Sequence, residues 1–397
     1  MEAHAHAQHH HHDDVEVNPA TWSDPKRYAW LLGIVVPLAP FLAWGWVTLT
    51  GIGAFWFLGP VLVFVVFPLL DIAIGLDATN PPDSVLKFLE QDHYYRWCTY
   101  LFIPIQYAGL VLACWMWSSG DLATAESLGL ALTMGVVGGI AINTAHELGH
   151  KRANSERRLS RVALAQTGYG HFFIEHNRGH HVRVATPEDP ASSRLGESFW
   201  AFLPRTVVGS LRSAWEIEGA RLDRLGKRHL GRHNDILGAW AMTVLLFAAL
   251  TIAFGAVVLP YLLIQAVIGF SLLEVVNYLE HYGLLRRKRD DGRYERCLPE
   301  HSWNSNNVAS NVLLYHLQRH SDHHANPTRR YQALRHVDEA PQLPTGYAGM
   351  IVLAWFPPLW RRLMDPRLVE HFDGDLSRAN IQPSKRRRIL ARYGAAS

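Results

Sequence analysis

Apolar residues in this chain gather into six runs, at about 28–47, 55–74, 95–117, 128–145, 236–253 and 261–276. At about 1.5 Å of rise per residue, a helix of this length suits the hydrocarbon core of a bilayer. Three of the intervening links, 48–53, 118–126 and 254–260, are short. Two others, 77–96 and 151–235, are long and polar, as is most of the chain after 276. Pro37, Pro40, Pro60 and Pro68 kink the first two runs, which a bundle tolerates because neighbours satisfy the freed carbonyls. Gly135 and Gly139 stand four apart in the fourth run, so a neighbouring helix is expected to approach closely there. Met350 to Trp360 is apolar but too short to cross, and is expected at the interface or packed under the bundle. The runs do not repeat one another, so an inverted-repeat transporter is not indicated.

The pattern predicts an all-α integral-membrane fold: six transmembrane helices with a helical cap. Lys and Arg are missing from the three short links and concentrate in the N-terminal segment, the two long links and the C-terminal third. The positive-inside rule therefore places both termini and the cap in the cytoplasm. Charged residues make up 18% of the 397, below the quarter or so usual for soluble domains. The net charge of +3 is too small to argue for nucleic acid. Cys98, Cys114 and Cys297 are few and scattered, which indicates neither a disulfide framework nor a thiolate metal site. The His9 to His12 run has no apolar core behind it, and reads as a tag or a metal-sticky tail rather than a signal peptide. The expected organisation is a disordered segment over 1–27, a membrane catalytic domain over 28–375 and a basic tail over 376–397.

Histidine carries the candidate chemistry. His320, His323 and His324 fall at i, i+3 and i+4 and share one helical face. His146 and His150 form a second cluster, His176, His180 and His181 a third, and His281 a fourth position. A single pair is an ordinary feature of a polar helix face. Four clusters on one predicted side of a membrane are not. His146-Glu147-Leu148-Gly149-His150 also matches the zinc-protease pattern His-Glu-x-x-His, but three protein ligands complete such a site and six histidines would be left over. A metal transporter or sensor would spread its ligands along a path across the bilayer, which the one-sided clustering opposes. A dinuclear centre with four or five imidazoles per ion accounts for all nine. Iron is the favoured metal, since imidazole suits it and a redox metal gives the site a purpose.

The motifs 146–151, 175–181, 277–283 and 317–325, with 187–191 and 301–305, resemble those of the integral-membrane alkane monooxygenases, and the resemblance runs from about Tyr28 to Asp375. Fatty-acid desaturases and hydroxylases of membranes share the spaced histidine pairs and are the alternative. Asn277-Tyr278-Leu279-Glu280-His281-Tyr282-Gly283 and the long 317–325 motif point to the alkane branch. The resemblance implies a non-haem di-iron enzyme of the bacterial inner membrane that uses O2 to convert a medium-chain n-alkane to its 1-alkanol. It implies two electrons from rubredoxin, itself reduced by an NADH-dependent reductase. No Cys-x-x-Cys pair occurs here, so rubredoxin acts in trans or as a separate domain.

His146, His150, His176, His180, His181, His281, His320, His323 and His324 are expected as the iron ligands. Glu147, Glu175, Asp189, Glu280 and Asp322 adjoin them and are expected to accept their second ring N–H; His171 and His316 are placed in the surrounding shell. His93, His229, His233, His336 and His371 are read as surface residues. Asp71 is either functional or snorkels to the interface. Lys151, Arg152, Arg157, Arg158 and Lys385 to Arg388 are candidates for docking an acidic electron donor or anionic membrane lipid. Trp, Phe, Leu and Val of spans one to four are expected to line an apolar passage for alkane.

Overall fold

The computed structural model describes Asn18 and residues 21–393; the His9–His12 run, most of the 1–27 segment and residues 394–397 lie outside them. The described residues are helical, joined by loops with isolated bridges but no strand. Among the described residues, six helices are long and apolar enough to cross a membrane: Ala29–Thr50, Gly53–Ile74, His93–Ser119, Thr124–Gly149, Asp235–Phe254 and Val258–Glu280. Each extends past its apolar run. The fourth continues through His146, and the sixth to within one residue of His281, so two of the histidine positions are carried at the ends of rigid spans.

Local sequence accounts for the joints. Gly51 ends the first span in the left-handed region, φ 72°, with its N–H on the Val47 carbonyl at 2.8 Å, a geometry that favours glycine. The second span, with Pro60 and Pro68 in its path, passes through a π-helical stretch, Leu62–Val66, before resuming as an α-helix at Phe67, as helices do where the regular ladder is interrupted.

The fourth span is the axis of the bundle and is buried almost throughout. Its small residues make that possible. A Cβ on Gly139 would lie 2.7 Å from a Leu272 methyl and 3.0 Å from the Gly269 carbonyl, and one on Gly135 would overlap Ile268. The sixth span is thus the close neighbour that the glycine spacing anticipated. On another side, Thr133 accepts from the Gly59 N–H at 3.0 Å and donates to the Trp56 carbonyl at 2.6 Å, fixing the second span.

Asp71 neither snorkels nor faces the rings. It is fully buried, and accepts from the Ser310 N–H at 2.9 Å and the Ser310 hydroxyl at 2.5 Å. It ties the second span to the cap helix Val308–Leu313, which is how a carboxylate is tolerated at this depth. The apolar 350–360 stretch divides between two helices, Tyr347–Ala354 and Pro357–His371. The first packs on the second and sixth spans rather than lying flat on the surface.

Candidate metal centre

Helix ends and one unusual turn bring the nine rings together. His146 sits in the last turn of the fourth span and His150 just after it. His281 caps the sixth span. His176–His180 is a π-helical turn, and His181 opens the next. His320, His323 and His324 occupy the short helix His320–Ala325. The rings sort into two groups, His146, His150, His176, His181 and His323 in one and His180, His281, His320 and His324 in the other. Within each group, one nitrogen per ring lies within 4.8 Å of every other.

The π turn explains the division. Its bonds run i→i+5, so His181, not His180, comes back into line with His176. His180 is turned toward His281. Gly179 allows the turn, because a Cβ there would come within 2.6 Å of both Glu175 and Arg183 side-chain atoms. In the α-helical stretches the ordinary i, i+4 rule holds, pairing His146 with His150 and His320 with His324.

The donor set fits metal ions. Nε2 atoms face one another at 2.9 Å for His146 and His323, 3.1 Å for His176 and His181, and 3.2 Å for His181 and His323. The second group gives 2.9 Å for His320 and His324 and 3.2 Å for His281 and His320. Nitrogens about 2.1 Å from a shared ion, at right angles to one another, stand about 3.0 Å apart. Nε2 of His150 and of His180 are buried with no hydrogen-bond partner among the described residues, an expense a bound ion would remove. Burial holds His150, His176, His181, His320, His323 and His324 well below the usual imidazole range, and His281 falls to about 3 for the same reason. They are therefore neutral, the form that ligates metal. Burial acts against charge on His180 as well, but the neighbouring Asp189 and Glu175 carboxylates raise it overall.

Outer partners orient part of the set. Asp189 Oδ2 lies 2.9 Å from His180 Nδ1, and the His301 carbonyl lies 3.0 Å from His281 Nδ1. Glu280 Oε1 comes within 3.3 Å of His320 Nδ1 but out of line for a hydrogen bond. The other three carboxylates are differently engaged. Glu147 pairs with Lys151 at 2.9 Å, Glu175 with Arg183 at 3.2 Å, and Asp322 with Arg329 at 2.7 Å. His171 and His316 join neither group. His171 packs against Tyr169, with ring centroids 4.3 Å apart, while His316 faces the Tyr331 carbonyl at 2.9 Å.

Two charge readings change. Lys151 is buried, bonded to Glu147 and donating to the Arg329 carbonyl at 2.7 Å, so it is not available to a partner; Arg152 and Arg386 to Arg388 are exposed. His336 and His371 are half-buried rather than surface residues.

Arg319 supports the site without belonging to any of the histidine clusters. It is buried, and its guanidinium donates to the carbonyls of Leu334 at 2.7 Å, Thr79 at 3.0 Å and Asp77 at 3.1 Å, immediately before the His320 helix. The Asn304 side chain accepts the Ser321 N–H at 3.0 Å. An arginine beside a histidine motif is the only signal the sequence offered.

A narrow apolar cavity ends on the rings. Its wall takes Val63 and Phe67 from the second span, Gly139 to His146 from the fourth and Leu272 to Glu280 from the sixth. Ser310, Leu314, Leu317, Ala348 and Ile351 close it from the cap. Spans one and three, expected to contribute, do not. His146 and His176 of one group and His320 of the other face it, and no Lys or Arg lines it.

Rings from four separate stretches, in two groups at one end of a six-span bundle, define an integral-membrane protein built around a polyhistidine metal site. Residues 125–354 match the fatty acid desaturase family. The chain is 49% identical to the alkane 1-monooxygenase of Acinetobacter baylyi, over 94% of this chain and 92% of that protein. It is 47% identical to alkane 1-monooxygenase 1 of Alcanivorax borkumensis, over 94% and 92%. Identity to the enzyme of Ectopseudomonas oleovorans is 46%, over 94% and 93%. The chain belongs to the alkane 1-monooxygenase family.

Proposed function

We propose that this protein hydroxylates the terminal carbon of medium-chain n-alkanes to 1-alkanols. The reaction consumes O2, two electrons and two protons, placing one oxygen atom in the alkanol and the other in water. The observation that carries the reading is the largely apolar cavity, lined by no Lys or Arg, that opens onto both groups of rings. An alkane has no polar handle and partitions into lipid; a cavity among the spans receives it by hydrophobic burial alone.

The five-ring and four-ring groups are assigned one iron each, and iron supplies the O2-activating redox chemistry when bound. Asp189 would fix the orientation of His180 by holding its far ring nitrogen. The apolar wall excludes water and positions a methyl end toward His146, His176 and His320. Arg319 and Asn304 hold the His320 helix in register. Electrons are assigned to rubredoxin and its NADH-dependent reductase, reaching the cap from the cytoplasm. The charge asymmetry of the links supports a bacterial inner-membrane protein with both termini and the site on the cytoplasmic side.

A fatty-acid desaturase or hydroxylase is the rival. The absence of a cation along the cavity favours a neutral hydrocarbon over a chain bearing a carboxylate. The test supplies iron-loaded protein in lipid with rubredoxin, reductase, NADH and isotopically labelled O2, and offers octane and an acyl chain in competition. Labelled 1-octanol as the main product supports the reading. An unsaturated or hydroxylated acyl product, with octane untouched, overturns it.

A further inference from the structure

Hydroxylation takes up two protons for each alkanol formed, and the cavity wall is too apolar to pass them. A row of buried polar side chains runs toward that wall from a solvent-facing recess. Glu274, in the sixth span, is 1% exposed. It accepts from the Tyr169 hydroxyl at 2.6 Å, the Thr206 hydroxyl at 2.8 Å and the Asn277 amide at 3.1 Å. No Lys or Arg is among these partners, so the carboxylate is held by exchangeable O–H and N–H donors rather than by a fixed cation. Asn277 forms part of the cavity wall beside Glu280 and His320.

At the other end, Thr206 lies on the helix Phe199–Arg224. Ser210 and Ser213 follow it at i+4 and i+7, one face of that helix, and all three are buried. The Arg183 guanidinium donates to the Ser213 hydroxyl. Arg183 and Ser213 line a recess of about 300 Å³ that opens to solvent, with Arg205, Arg212 and Glu216. Ser213 thus meets water and donates to Glu175 Oε1 at 3.2 Å; Ser210 and Thr206 continue the same face one turn apart, about 5–6 Å between Cβ atoms, a gap that a water molecule bridges, and Glu274 stands between Thr206 and the cavity.

We propose that Glu274 is the relay through which protons reach the reacting end of the cavity, entering by way of Ser213, Ser210 and Thr206 and leaving past Asn277. The proposal rests on the monooxygenase reading above. The donor supplies two electrons, water on the recess side supplies two protons, and Glu274 passes each proton on and returns to its starting form. A carboxylate is needed for this; a glutamine keeps the hydrogen-bonding shape but not the proton transfer.

The test compares Glu274→Gln, Thr206→Val and Glu274→Asp with wild type in the complete rubredoxin-supported system. The measurements are kcat and KM for octane, the solvent deuterium isotope effect on kcat, metal per chain and Tm. Glu274→Gln and Thr206→Val are expected to lower kcat by about 10-fold or more and to enlarge the isotope effect, with KM, metal content and Tm near wild type. Glu274→Asp is expected to recover much of the rate. Wild-type kcat and isotope effect in Glu274→Gln and Thr206→Val would overturn the route, as would loss of metal or of Tm in all three variants together, which marks a structural role. Wild-type protein that makes no alkanol refutes the activity itself, whereas active wild type with an unchanged Glu274→Gln refutes the route alone.

Discussion

Replacing Val63 by Phe tests whether the cavity measures its substrate. Val63 is buried in the wall. It precedes Asp71, the residue bonded to the cap, by eight positions, or about 12 Å of helix, and so belongs to the end far from the rings. On the opposite wall Gly139 stands seven residues before His146, about 10 Å deep. A zigzag alkyl chain advances about 1.3 Å per carbon, given C–C bonds near 1.5 Å, so the cavity accepts about eight to ten carbons. Each methylene buried contributes about 0.8 kcal/mol, and kcat/KM is therefore expected to rise about four-fold per carbon until the far end is reached. The phenyl ring adds four carbons in place of that many of the substrate. The longest accepted alkane should lose about 3 kcal/mol, a fall of about 100-fold in kcat/KM, while hexane is little changed. Competition among C5 to C12 alkanes, with the alkanols resolved by gas chromatography, gives the ratios directly. A uniform loss at every chain length, or an unmoved optimum, would rule out Val63 as the far end of the substrate cavity.

Asp189→Asn removes the carboxylate facing His180 while keeping its size, and should weaken metal binding about 10- to 100-fold; metal bound per chain at limiting iron measures it, and wild-type occupancy would count against the role. Lys151→Glu sets a second negative charge beside buried Glu147 and is expected to cost about 3–5 kcal/mol of stability. Thermal unfolding should show the loss, and an unchanged Tm would mean the pair is not buried in solution. Arg152→Glu, on an exposed side chain, should leave Tm alone. Chelation should lower Tm as well as abolish turnover, since a ligand bound only by the folded state stabilises it; zinc is expected to restore the Tm and iron both, and a Tm indifferent to metal would contradict a centre held by nine rings.

Much of this was legible along the chain because two signals are local. Hydropathy marks six helices, and the i, i+4 pairs mark ring-bearing faces. What spacing does not carry is the turn type. His180 and His181 are adjacent, yet the π turn at His176–His180 sends them to different groups, and nothing in Asn177-Arg178-Gly179 announces that turn except the glycine. The cavity wall was equally hidden, since it depends on which spans touch. Gly135 and Gly139 signalled a close neighbour without saying that it is the sixth span. Lys151 reads as surface charge in a basic run, and only the fold reveals that Glu147 and the Arg329 carbonyl enclose it. Asp71 likewise needed its partner Ser310, far along the chain, to be recognised as an anchor.

Metal analysis of protein with its full alkane-hydroxylating activity decides whether nine imidazoles hold two redox ions beneath the spans: two iron atoms per chain is the expected result, and full activity with one iron, or with zinc alone, would rule such a centre out.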